Sequence, residues 1–288
     1  MPELPEVEVV ARTIRSEIQG QEISDVDVFW PRIIKHPDDQ EEFKARLIGE
    51  TIGDIGRTGK YLKIGIGDKQ ELVIHFRMTG KLKLLRPEDS KQKHIHLYFH
   101  FEGEQEGLAY HDVRKFGDIF LVPKGDYRAI KGLLQAGGDP LSKAFTFDLF
   151  QSLIKPRQRR IKALLLDQSV ITGLGNYLCD EMLWIPGEQG VHPERLASSL
   201  SEAELQKIYR RMLEVIQTSI RLGGNSFRDF SYANGIKGEF KRMLKVYGRK
   251  GEPCANCGTE IERKIVAGRS THYCPRCQPE CIADHSCP

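Results

Sequence analysis

Four cysteines, in Cys254-Ala-Asn-Cys257 and Cys274-Pro-Arg-Cys277, form two Cys-x-x-Cys pairs with sixteen residues between them. That spacing lets four thiolates surround one Zn2+ tetrahedrally, and a shell filled by protein makes the metal structural rather than catalytic. The stretch between the pairs, Ile261 to Tyr273, has the length of a two-stranded hairpin and carries Arg263, Lys264 and Arg269. Cations on such a hairpin suit phosphate contact. A segment this small cannot fold on its own apolar core, so metal binding supplies its stability. At the other end of the chain stands Met1-Pro2-Glu3-Leu4-Pro5-Glu6. Once Met1 is removed, Pro2 is a secondary α-amine. Such an amine titrates near pH ~8 against ~10.4 for lysine, so roughly a hundredfold more of it is unprotonated near neutrality. Its attack on an aldehyde-like carbon gives a cationic iminium, an electron sink next to a sugar C1′. On these six residues alone, the reading of Pro2 as merely the start of a helix wins.

Weaker signals accompany these two. Gly173-Leu-Gly175-Asn176 is a tight turn whose backbone N–H groups could grip a phosphate. His94, His96 and His100 alternate with Ile95, Leu97, Phe99 and Phe101 and are expected on the polar face of a strand, with nothing nearby to complete a metal site. Cys179 falls on an apolar helix face and reads as core. Cys281, His285 and Cys287 lie in a terminal stretch with little to bury.

Elements that must position these groups follow from periodicity. Pro5–Gln19 is predicted helical, with Val7, Val10, Ala11, Ile14 and Ile18 on one face. From about residue 23 to 122 short apolar runs alternate with glycine and charge, which predicts antiparallel strands in a sandwich or barrel. Gly137-Gly138-Asp139-Pro140 breaks the chain, and beyond it the period is helical. Ser201-Glu202-Ala203-Glu204 is a capping box ahead of Leu205, Ile208, Met212, Val215 and Ile216, and Gly223-Gly224 ends that helix.

The chain has 288 residues, a net charge of +3 and 40% hydrophobic residues, enough for two domains or for one with an appendage. No apolar run approaches the ~20 residues of a membrane span, and the acidic N-terminus lacks a signal-peptide pattern, so a cytoplasmic, nucleoid-associated protein is expected, with no membrane partner. Between Lys237 and Cys277, ten Lys and Arg stand against four Asp and Glu. Positive charge gathered near the C-terminus is the pattern of a nucleic-acid-binding appendage.

Read together, the motifs resemble formamidopyrimidine-DNA glycosylase, a bacterial family that excises oxidised purines. The resemblance rests on Pro2-Glu3-Leu4-Pro5-Glu6, Gly59-Lys60-Tyr61-Leu62, His75-Phe-Arg-Met78-Thr-Gly80, Asp112-Val-Arg114-Lys-Phe116-Gly117, Gly173-Leu-Gly175-Asn176, Val246-Tyr247-Gly248-Arg249 and the four cysteines. It implies a multidomain α+β fold: an N-terminal antiparallel β-sandwich with a flanking helix (1–136), a helix–two-turn–helix domain with a base-covering loop (137–240) and a zinc finger (241–277); the tail (278–288) has no counterpart in the family and is expected to be disordered because it has little to bury. It implies a monomer, one structural Zn2+, and damaged double-stranded DNA held between domains. Pro2 would be the nucleophile, Glu3 the general acid/base, Glu6 a second carboxylate holding the N-terminus, and Lys60 a contact to phosphate or to Glu3. Met78, Arg114 and Phe116 would fill the hole left by the extruded base. Lys162, Asn176 and Arg269 would contact phosphates. Departures include Thr79 where the family frequently has glutamate, and Ile236-Lys237 in the base-covering loop. These bear on substrate choice, with oxidised pyrimidines or damage binding without excision as the alternatives.

Overall fold

The structure, a computed structural model of the whole chain, describes residues 1–225 and 238–280. The chain forms two compact units, one of Met1–Leu134 with Leu222–Lys241, the other of Gln135–Arg221 with Arg242–Pro288.

In the first unit, α1 (Leu4–Ile18) buries Val7, Val10, Ala11, Ile14 and Ile18, the face its 3.6-residue period predicts. Two sheets follow. Strands β1 (Ile23–Val28), β6 (Gly80–Leu85), β7 (Ile95–Phe101) and β8 (Gly107–Asp112) make a four-stranded antiparallel sheet in the order β1-β7-β8-β6. Strands β2 (Ile34–His36), β3 (Ile52–Thr58), β4 (Tyr61–Ile66), β5 (Gln70–His75) and β9 (Asp118–Pro123) make the other, in the order β2-β9-β5-β4-β3, antiparallel except for the short β2–β9 pair. One continuous core joins α1 to both sheets, through Leu62, Ile64, Leu72, Ile74 and Ile119 from one and Leu82, Leu97, Phe99 and Leu108 from the other. A short helix α2 (Gln40–Ala45) adds Phe43 to that core, and α3 (Lys131–Leu134) closes a smaller cluster with Val73 and Val122.

The expected polar face of β7 is corrected. His96 and Tyr98 are buried along with their apolar neighbours. A register shift between Ile95 and Leu97 sends Ile95 to the Tyr98 side, where it packs with Ala109, while Leu97 and Phe99 face the main core. The buried polar atoms are paired: the His96 Nε2–H donates to the Asp112 carbonyl (2.7 Å) and the Tyr98 hydroxyl to the Leu85 carbonyl (2.7 Å).

The second unit holds α4 (Phe147–Ile154), α5 (Ile161–Leu165), α6 (Asn176–Leu183) and α7 (Glu202–Arg221), then the hairpin β10 (Glu262–Val266) and β11 (Arg269–Tyr273). The capping box of α7 forms as read. The Glu204 N–H donates to the Ser201 Oγ (3.2 Å), and the Ser201 N–H donates to the Glu204 carboxylate (2.8 Å). The hairpin turn is Ala267-Gly268, both left-handed at φ 50° and 70°, the two-residue geometry that matches strand twist. Most of the expected base-covering loop, and Cys281, His285 and Cys287, lie outside the described residues.

Candidate active site

The N-terminus, the start of α1 and the β3–β4 turn converge within the first unit. Pro2, Glu3, Glu6 and Lys60 are all buried there, the last three at 4%, 2% and 7% exposure. Glu6 bonds at both of its oxygens. Oε2 accepts from the Glu3 N–H (2.8 Å), which fixes the entry to α1, and Oε1 accepts from the Asn225 N–H (2.7 Å). One carboxylate thus joins the N-terminus to the residue that opens the expected base-covering segment. Lys60 sits beside Gly59 in the turn where Thr58 pairs with Tyr61, with Gly59 left-handed at φ 56°. The terminal amine, carried by Met1, is held below its usual α-amino range chiefly by burial, against the charges of Glu3 and Glu6, while Lys60 and Arg114 lower it further. An amine in this place is less protonated than in water. Pro2 acquires that amine only when Met1 is cleaved, because until then its nitrogen is an amide.

His75, at the end of β5, borders the same group. Its ring stands 4.6 Å from the Tyr61 ring. Burial, with the charges of Arg77 and Lys60 adding to it, pushes its pKa down to about 3, so the ring is neutral. In the sequence His75 stands only as the first residue of His75-Phe-Arg-Met78-Thr-Gly80, with no local signal of a role.

Two adjoining turns present the expected hole-filling residues. Met78 and Phe116 are 46% and 51% exposed, so they are not the core side chains that strand alternation would also allow. The Arg114 guanidinium lies 4.5 Å over the Phe116 ring. Each turn contains a non-glycine residue in the left-handed region, Arg77 (φ 52°) and Lys115 (φ 58°). Their side chains are tethered: Arg77 Nε donates to Asp118 (2.7 Å), and the Lys115 ammonium lies 3.6 Å from the centre of the Trp30 ring.

The second unit carries the remaining residues. Arg269 is exposed at the start of β11. Asn176, the first residue of α6, donates its side-chain N–H to the Ser270 carbonyl (2.8 Å), and its Oδ1 is buried without a partner. The expectation for Lys162 is corrected. Its side chain is 0% exposed and its ammonium donates to Asp180 Oδ1 (2.6 Å) and Thr271 Oγ1 (2.7 Å), so no phosphate reaches it. Asp180 Oδ2 accepts from the His272 N–H (2.9 Å). Lys162 and Asp180 thereby fasten α5 and α6 to the strand that presents Arg269. The Gly173 turn is a connector, as most such turns are: residues 171–175 are buried, and the Gly173 N–H donates to Gln168 Oε1 (2.9 Å) rather than facing solvent.

The four cysteines of the two knuckles gather with all sulfurs within 4.8 Å of one another. The Cys254–Cys277 and Cys257–Cys274 sulfur pairs are 3.8 and 3.5 Å apart, without disulfide bonds. The edge of a ZnS4 tetrahedron with ~2.3 Å bonds is about 3.8 Å, so the sulfurs fit Zn2+. Three N–H groups point at sulfur, from Trp184 and Asn256 to Cys254 and from Cys277 to Cys274, each at 3.4 Å. These are the outer-shell donors a thiolate site requires. The local apolar cluster adds only Trp184, Val246 and Ile261 to the cysteines, too little to hold the finger without metal.

A β-sandwich with a buried N-terminal cluster of carboxylates and lysine, a helical unit and a four-cysteine finger define a class of multidomain zinc-finger protein. Family models match along the chain: the formamidopyrimidine-DNA glycosylase N-terminal domain at residues 1–119, its H2TH domain at 136–231, and the zinc finger found in FPG and IleRS at 251–279. The chain belongs to the formamidopyrimidine-DNA glycosylase family. It is 46% identical to the enzyme of that name from Shouchella clausii over 97% of this chain and 99% of the relative. It is 43% identical to that of Geobacillus kaustophilus over 96% and 100%. Solved structures of Lactococcus lactis Fpg match with 38% identity. A mutant bound to Fapy-dG containing DNA has a TM-score of 0.88 and covers 97% of this chain and 100% of its own. The wild type with oxidised-pyrimidine DNA matches at 0.87, with 97% and 100% covered.

Proposed function

We propose that this protein is a bifunctional DNA glycosylase and abasic-site lyase that excises oxidised purines, 8-oxoguanine and formamidopyrimidines, from duplex DNA. The observation that carries the reading is the burial of Pro2, Glu3, Glu6 and Lys60 together at the N-terminus. With Met1 gone, the Pro2 nitrogen attacks C1′ and the damaged base leaves with the electrons of the glycosidic bond. Glu3 moves the protons that ring opening of the sugar requires. The resulting iminium draws electrons from the C2′–H bond, so the 3′-phosphate departs by β-elimination, and a second elimination releases the 5′-phosphate. Lys60 holds a phosphate or Glu3. Glu6 holds the Glu3 backbone, the residue next to the attacking amine.

Extrusion of the base costs a few kcal/mol of stacking. Met78 and Phe116 are exposed apolar side chains suited to occupy the hole, and Arg114 supplies donors for the orphaned cytosine. Arg269 and Asn176 contact phosphate, and Lys162 acts behind them. When bound, the zinc ion holds the hairpin that carries Arg269. Acting on chromosomal DNA places the protein at the nucleoid, as a monomer.

Thr79 supports a second reading in which oxidised pyrimidines are also taken, since the family's frequent glutamate is absent beside Met78. Excision of 8-oxoguanine opposite cytosine and of thymine glycol, measured side by side, tests both. The proposal expects faster release of 8-oxoguanine; a preference for thymine glycol overturns the purine assignment, and no release of either overturns the enzyme reading.

A further inference from the structure

We propose that Asp112 is a positioning residue that fixes the two exposed turns, around Met78 and around Arg114 and Phe116, as one rigid head for base extrusion. Asp112 ends β8 and is 0% exposed, so it touches no DNA. Its carboxylate is nevertheless saturated with donors from both turns. Oδ1 accepts from the Thr79 hydroxyl and from the Arg114 N–H (3.1 Å), and Oδ2 accepts from the N–H groups of Phe116 (2.8 Å) and Gly117 (2.8 Å). The Arg114 N–H also points at the Thr79 Oγ1 (3.2 Å). Thr79 follows Met78 directly, so one buried anion sets the backbone at both insertion sites.

The surroundings press the two turns together. A Cβ on Gly117 would lie 1.7 Å from the Tyr110 hydroxyl, and one on Gly80 would lie 2.3 Å from it, so both turns close against the same ring. The left-handed residues Arg77 and Lys115 carry strain that persists only where the surroundings impose it. A carboxylate is the group this geometry needs, because it offers acceptors at both oxygens and no donor. Carboxamide in its place would turn one acceptor into a donor facing N–H groups.

This proposal rests on the glycosylase reading, and its test separates the two. Two rates are measured on the zinc-loaded, Met1-processed full chain. One is single-turnover excision of 8-oxoguanine from a duplex opposite cytosine, which needs extrusion and hole filling. The other is borohydride trapping on a single-stranded oligonucleotide with an abasic site, which needs the amine but neither of those steps. Asp112→Asn is expected to lower the first by about a hundredfold, the scale of an ångström-sized misplacement, and to leave the second at the wild-type rate. Thr79→Val, which removes both the hydroxyl's bond to Asp112 and its contact with the Arg114 N–H, should lower duplex excision by about tenfold, and Thr79→Ser should restore it. Equal loss of both rates in Asp112→Asn, as from general unfolding, would overturn the proposal. So would unchanged duplex excision, or a Thr79→Ser variant as slow as Thr79→Val. A wild-type chain that neither excises from the duplex nor traps on the single strand would instead remove the glycosylase reading itself, and this proposal with it.

Discussion

His75 is a buried ring that refuses a proton beside a site built around proton transfer. Desolvation pushes its pKa down from 6.5 to about 3, with Arg77 and Lys60 adding to the effect. Below about pH 6.5 the unfolded chain binds a proton here that the folded protein does not take until about pH 3. Stability therefore falls as pH is lowered through that window, by up to ~1.4 kcal/mol per pH unit from this residue. Urea unfolding of wild type and His75→Phe between pH 6.5 and 4 should show the shallower loss in the variant; parallel curves would contradict the assignment. At this scale the motifs of the sequence marked Pro2, Glu3 and Lys60, which the fold buries. It was least legible where a role depends on a distant partner. Nothing near Lys162 announces that Asp180, eighteen positions on, will neutralise it in the interior. Asp112 reads as an ordinary motif residue until the fold brings Thr79, 33 positions away, against it.

At the scale of elements, periodicity carried α1 and α7, because each buries one regular face, while the strands were legible as short apolar runs between glycine and charge. It failed at β7, where a register shift and a second layer bury residues that alternation assigns to solvent. The zinc finger was legible from ligand spacing alone, since four thiolates at that separation have few other uses. Its small apolar cluster makes a clear prediction. Removing zinc with a chelator should unfold residues 251–279, because metal binding supplies roughly 10–16 kcal/mol in peptides of this kind. Trypsin should then cut after Arg263, Lys264 and Arg269, sites in the hairpin that the zinc-loaded form protects. An unchanged digestion pattern after zinc loss would show that the hairpin stands without metal. Arg269→Ala, in the loaded protein, should flatten the salt dependence of DNA binding by about one unit. An unchanged slope would remove Arg269 from the interface.

Across the whole molecule, residues proposed to act on one substrate come from both compact units. In the proposed division the first unit holds Pro2, Glu3, Met78, Arg114 and Phe116, and the second holds Asn176, Arg269 and the four-cysteine hairpin. Sequence order alone hides part of this division. The segment after α7 reads as the end of the helical domain, yet its described ends pack with the N-terminal unit. There Glu6 accepts from the Asn225 N–H, and the Glu239 and Phe240 N–H groups bond to the Leu222 and Gly224 carbonyls. Glu6 therefore links the N-terminus to the start of the expected base-covering segment, a connection made by tertiary contact and invisible to local pattern. The claim at the centre of the account is that the Pro2 amine does the covalent chemistry. The direct measurement is borohydride trapping of the Met1-processed protein on an 8-oxoguanine·cytosine duplex, followed by peptide mapping of the adduct by mass spectrometry. The account predicts the added mass on the N-terminal peptide at Pro2, and its loss in Pro2→Gly. An adduct on a lysine such as Lys60, or no adduct on processed protein, would contradict it.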